Sequence, residues 1–154
     1  MILMKTIALA LFLTASFGQA ALAQDKEKTE IRSSDVPDAV MTSFNNNFKG
    51  TTDVEWKKKG NDYKVSFRMN NAEHHAMYNS SGTLLSQGQK ISESELPAAV
   101  QNALKKDYPN HKVDEIYTLV KDGTTRYKIE LDGSPDWKVV YSANGMEEDR
   151  LEDD

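Results

Sequence analysis

The sequence predicts an α+β fold: a tandem repeat of a helix followed by three or four antiparallel strands, with the helices packed on one face of an extended antiparallel sheet. Three observations predict it. First, Val36-Pro37-Asp38-Ala39-Val40 returns sixty residues later as Leu96-Pro97-Ala98-Ala99-Val100. Second, each copy opens an apolar spacing of four, Val36, Val40, Phe44 and Phe48 in one and Leu96, Val100, Leu104 and Tyr108 in the other. That spacing gathers side chains on one helical face. Third, the period then changes to two. Tyr63, Val65, Phe67 and Met69 alternate with Lys64, Ser66 and Arg68, and Tyr127, Ile129 and Leu131 alternate with Arg126, Lys128 and Glu130. Alternation of this kind marks a strand with one buried and one wet face.

Taken in chain order, Met1–Ala23 reads as a secretory signal peptide. Lys5 supplies its positive charge, Thr6 to Phe17 its apolar run, and Ala21-Leu22-Ala23 a small-x-small cleavage site. The run is short of the roughly 20 residues that a membrane span needs. Residues 24–33 are polar and read as a flexible leader. Residues 34–91 form the first repeat and 92–146 the second. Ser33, Ser34 and Asp35 before one helix, and Ser92 and Ser94 before the other, offer capping oxygens. Pro37 and Pro97 sit in the first turns, where a missing N–H is harmless, and Pro109 ends the second helix. Asp53-Val54-Glu55-Trp56 lies over Val113-Asp114-Glu115-Ile116, and Met77-Tyr78 over Val140-Tyr141. Gly60-Asn61, Asn70-Asn71, Ser81-Gly82, Asp122-Gly123 and Asn144-Gly145 are turns between short strands. Residues 147–154 hold six acids against one arginine and one apolar residue, and read as a disordered acidic tail.

Composition narrows the function. Twenty-four acidic residues against 19 basic ones give a net charge of −5, with no basic patch to meet phosphates, so nucleic acid is excluded as a partner. The absence of cysteine removes disulfides, thiolate metal sites and cysteine nucleophiles. Export without disulfides fits a bacterial periplasm, or the extracellular side, better than a eukaryotic secretory route.

The ordered set Val-Pro-x-Ala-Val, an aromatic eight residues on, Asp-Val-Glu-Trp, Tyr-Lys-Val-x-Phe and Tyr-Asn-Ser-Ser-Gly-Thr, largely present in duplicate, resembles the PepSY-like, beta-lactamase-inhibitor-protein-like family of exported Bacteroidetes proteins. The likeness covers residues 34–146. It implies two repeats sharing an antiparallel sheet, helices on one side, and a periplasmic or cell-surface location. Related PepSY domains occur as protease propeptides and bind or inhibit peptidases. The resemblance therefore implies a protein or peptide binding role, inhibitor-like in kind, with no target named.

The residues themselves advertise little catalytic chemistry. His74 and His75, with Glu73 beside them, invite a metal reading, but strand neighbours point to opposite faces and cannot share an ion. The expectation is one partly buried and one exposed histidine, with His111 exposed in a loop. Glu55 and Glu115 are equivalent in the two repeats, but the lysines near Glu55 suggest cross-strand ion pairing rather than acid–base work. Trp56, Tyr63, Phe67, Tyr127 and Trp137 fall in the apolar phase and read as core, as does Val54. The opposite phase, including Glu55, Lys57, Ser66, Glu115, Glu130 and Lys138, faces away from the helices. From it we take Lys64, Arg68, His75, Met77, Tyr117, Leu119, Lys128 and Val140 as candidate binding residues. Tyrosine and arginine favour interface hot spots, and the apolar members exceed what an idle surface needs. No catalytic residue, metal or cofactor is expected. The reading is a non-enzymatic module that docks a protein or peptide of the cell envelope through its open sheet face or, by strand addition, a sheet edge, with self-association open. The alternatives are an envelope sensor of a small molecule or cation and, third, a small hydrolase.

Overall fold

The spacing of four builds two helices, α1 (Asp38–Asn47) and α2 (Ala98–Asp107), in a computed structural model that describes residues 29–153. The expected signal peptide, Met1–Ala23, and residues 24–28 lie outside the described residues. Each helix follows a proline, which occupies the N-cap position itself. The serines and acids before the prolines do not cap these helices. They form a one-turn 3-10 helix instead, Ser33–Asp35 and Glu93–Glu95, and Ser92 and Glu95 close a capping box on the second of these.

The alternating segments become nine strands. They are β1 (Thr29–Ile31), β2 (Thr52–Lys59), β3 (Asp62–Met69), β4 (Ala72–Tyr78), β5 (Leu84–Gln89), β6 (Lys112–Lys121), β7 (Thr124–Asp132), β8 (Asp136–Ser142) and β9 (Glu147–Asp153). All lie in one antiparallel sheet in chain order, β1 to β9. The hairpin turns explain part of this order. Asn70 and Asn71 have φ of 52° and 63°, and Asp122 and Gly123 have 51° and 72°. Two successive positive φ values make the turn whose twist matches that of paired strands.

Register places both helices on the same sheet face. The pairs Trp56↔Val65, Val65↔Ala76, Ala76↔Gln87 and Gln87↔Val120 carry one face from β2 to β6, and Ile116↔Ile129 and Ile129↔Val139 continue it to β8. Val36, Val40 and Phe44 bury Trp56, Val65, Phe67, Ala76 and Tyr78. Leu96, Val100 and Leu104 bury Ile116, Ile129, Leu131, Val139 and Tyr141. Each helix start also rests on a turn glycine. A Cβ at Gly82 would meet the Ala39 carbonyl oxygen at 2.4 Å, and one at Gly145 the Ala99 oxygen at 2.5 Å.

The two halves meet at β5 and β6, where the ladder holds one pair, Gln87↔Val120, and an isolated bridge, Lys90↔Tyr117. The Thr118 hydroxyl fills the irregularity, accepting from the Gln89 amide at 3.0 Å.

Several expectations are corrected. The acidic tail is not disordered: residues 147–153 form β9 on the edge of β8. Its charges find partners. The Tyr108 hydroxyl donates to Glu147 at 2.8 Å, Arg126 pairs with Glu148, and the Arg150 guanidinium lies 4.8 Å from the Trp137 ring centre. The leader contributes β1, which pairs with β2 and packs Ile31 against the first core. Val54 is exposed because the ladder shifts register between Thr52 and Glu55, where Asp53 has φ of 50°. Tyr127 and Trp137 are only partly buried. His111 is half-buried beside Gly133 and bonds to the Pro135 carbonyl at 2.9 Å.

Candidate functional site

The sheet face opposite the helices curves into a hollow of about 380 Å³ over the junction of the two halves. From the first half, β3 sends Lys64 and Ser66 into its lining, and β4 sends Glu73, His75 and Met77. From the second, β6 supplies Glu115, Tyr117 and Leu119, β7 Lys128 and Glu130, and β8 Lys138. Of the candidate binding residues, Lys64, His75, Met77, Tyr117, Leu119 and Lys128 are thus brought together. Arg68 is not: it folds back to the Asn71 carbonyl at the β3–β4 turn. Val140 shares the face, opposite Lys128, but lies outside the hollow.

His75 is the pivot of this arrangement. Its cross-strand neighbour on β5 is Gly88, which has no side chain to stand between β4 and β6. The imidazole contacts Tyr117 edge-on, with ring centres 5.5 Å apart. It is half-buried, not exposed as expected. Burial and then the charges of Lys64 and Lys128, with a further contribution from His74, push its pKa down to about 4. The ring is therefore neutral at physiological pH. His74 points to the other face and stacks on Phe67, with centres 5.5 Å apart.

Tyr117 joins the acids of the hollow. Its hydroxyl lies 2.9 Å from Glu115 and 3.2 Å from Glu73, and burial together with these carboxylates raises its pKa far above the usual tyrosine value. Glu115 also pairs with Lys90, which holds the carboxyl below its ordinary range. Glu130 pairs with Lys128 at 2.8 Å. Glu115 thus forms an ion pair with Lys90, a partner not expected from the sequence, while Glu55, expected to pair with nearby lysines, lines a separate groove of about 820 Å³ between β1, α1 and β2. Glu73 and Lys90 were missing from the candidate set. Continuing the period of two from the Asn70-Asn71 turn puts Glu73 opposite Arg68 and so on the open face. No comparable signal exists for Lys90, which reaches the site through the irregular β5–β6 junction.

Among the described residues, no group of three His, Asp or Glu side chains is arranged to hold a metal ion. No helix among them is long and apolar enough to cross a membrane.

Solved structures similar to this one come from Bacteroides species. A crystal structure of a protein described among the "putative periplasmic proteins" of Bacteroides eggerthii superposes with a TM-score of 0.71 at 15% identity, covering 76% of this chain and 88% of that one. A DUF2874 family protein of Bacteroides uniformis gives 0.69 at 16%, covering 75% and 88%. A BLIP-like protein of Bacteroides fragilis gives 0.63 at 18%, covering 74% and 84%. At these identities the likeness is one of fold. No curated protein matches the sequence. The sequence signature of the family described as "Putative beta-lactamase-inhibitor-like, PepSY-like" matches residues 22–86 and again 85–146, which together span most of the molecule. The chain therefore belongs to the PepSY-like, beta-lactamase-inhibitor-like family.

Proposed function

We propose that the protein is an exported, non-enzymatic module that docks a protein or peptide of the cell envelope on its open sheet face. The observation that carries this reading is the hollow itself, a broad concavity in which Tyr117, Met77 and Leu119 sit among lysines on strands of one continuous sheet. Half-buried aromatic and apolar groups ringed by charge are the make-up of a recognition surface. The sheet edges suit this role less well. β1 is three residues long, and β9 is mostly acidic, which are two ordinary ways of discouraging strand addition. Catalysis finds little support: Ser66 pairs with His75 across strands, yet among the described residues no side-chain hydrogen bond joins them. We further infer that residues 33–89 and 93–153 are two copies of one unit. The same order of 3-10 turn, helix and four strands, and the double match to one family signature, support that reading.

The test is capture from envelope extracts on immobilised protein, followed by reconstitution with the purified partner. Met77→Asp and Leu119→Asp should abolish capture, while Asn45→Asp on the helix side should leave it intact. Capture indifferent to both open-face changes, or turnover by the pure protein that one substitution abolishes, would overturn the reading. A dimer in sedimentation that Met77→Asp dissolves would assign the face to a second copy.

A further inference from the structure

The polarity of the hollow specifies its occupant more closely, if the docking reading holds. Four lysines, Lys59, Lys64, Lys128 and Lys138, line it against three carboxylates. The carboxylates are committed within the site. Glu73 and Glu115 receive Tyr117, Glu115 also holds Lys90, and Glu130 holds Lys128. His75 lies between the lysines of the two halves and reports the field there. Lys64 from β3 and Lys128 from β7 both act to drive its proton off. An anion seated over the ring would meet the positive charge of both lysines, with Lys128 shared between it and Glu130. Met77 is cross-strand to Lys64, and Leu119 lies two residues along β6 from Tyr117, so apolar surface flanks the charged centre.

We propose that the partner inserts an aspartate or glutamate side chain into this hollow, over His75 and between Lys64 and Lys128, with an adjacent apolar side chain on Met77 and Leu119. The occupant is thus an extended acidic–apolar segment of a protein. The lysine charge provides attraction and orientation, and the apolar contact provides area.

Nuclear magnetic resonance of the histidine-labelled full chain tests this, with acetyl-Leu-Glu-Leu-amide as the probe. The peptide should shift the His75 ring signals saturably and raise the pH midpoint of that ring by at least half a unit. A Lys64→Gln/Lys128→Gln double variant with an unchanged thermal midpoint should bind at least fivefold more weakly. The glutamine analogue should bind at least fivefold more weakly to the unsubstituted protein. Equal binding of the Glu and Gln peptides, or indifference to the lysine changes, would overturn the proposal. Inorganic phosphate acting at the same concentration as the peptide would overturn the assignment to a protein segment. The docking reading stands or falls separately, because Met77→Asp and Leu119→Asp capture does not depend on the charge of the probe.

Discussion

Gly88 shows how one residue without a side chain shapes the open face. A Cβ there would lie 1.8 Å from the Thr118 carbonyl oxygen and 2.8 Å from Cε1 of His75. Neither the backbone nor the ring can yield fully, so Gly88→Ala should lower stability by about 2–3 kcal/mol in urea unfolding and displace the His75 ring signals. Gly123→Ala is the contrast. Its Cβ would meet open space, but its φ of 72° disfavours a side chain, and about 1 kcal/mol is expected. His75 also sets a pH dependence. Its folded pKa of about 4 lies below the 6.5 of the unfolded chain, so the unfolded state binds more protons between those values. The stability linked to it is complete above pH 6.5 and is lost as pH falls towards 4. Between pH 7 and pH 5 the loss should be about 2 kcal/mol, and His75→Gln should remove that part of the slope in denaturant titrations.

At the scale of the element, β9 is the segment whose order depends most on partners elsewhere. Alone, its acids repel one another. On β8 they meet the Tyr108 hydroxyl, Arg126 and the backbone ladder. Tyr141 adds to this anchorage, with its hydroxyl 3.1 Å from Asp107 and 3.4 Å from Glu147. Its pKa is accordingly raised well beyond the usual tyrosine value, by burial first and then by those carboxylates. Tyr108→Phe should cost about 1.5 kcal/mol, the scale of a hydrogen bond to a charged group. Ending the chain after Met146 should cost about 2–3 kcal/mol and speed amide exchange along β8, measured by urea unfolding and hydrogen exchange. An unchanged midpoint would mean that β9 contributes nothing in solution.

The whole molecule is two cores on one sheet. Each helix buries its own cluster, and the β5–β6 junction between them has the sparsest ladder. Amides of β5 and of the facing part of β6 should therefore exchange faster than those of β3 and β7, which are paired along most of their length on both sides. Thr118→Val removes the hydroxyl that completes the junction and should cost about 1 kcal/mol while widening this difference. The hollow lies across the same junction, so an occupant that binds both halves should slow exchange there.

The helices, most strands and the assignment of residues to faces were legible in the sequence because each follows from a short-range rule. Spacing of four put Val40 and Phe44 together, and spacing of two put Lys64 opposite in sense to Val65. The Asn70-Asn71 and Asp122-Gly123 turns then fixed two hairpins. The convergence of His75, Tyr117 and Lys128 was legible only as a shared face. Their meeting depends on sheet order across β5, on the missing side chain of Gly88 and on the curvature of the sheet, and none of these is a local property. Order in β9 escaped for the same reason, since composition records the mutual repulsion of its acids but not the tyrosines and arginine that receive them. By itself, then, the sequence determined the elements and their two faces, because backbone periodicity and turn chemistry act between near neighbours. Only the tertiary structure decided which charges meet, how His75 is protonated and which face stays bare, because electrostatic and packing energies depend on distances that the chain sets only once it has closed on itself.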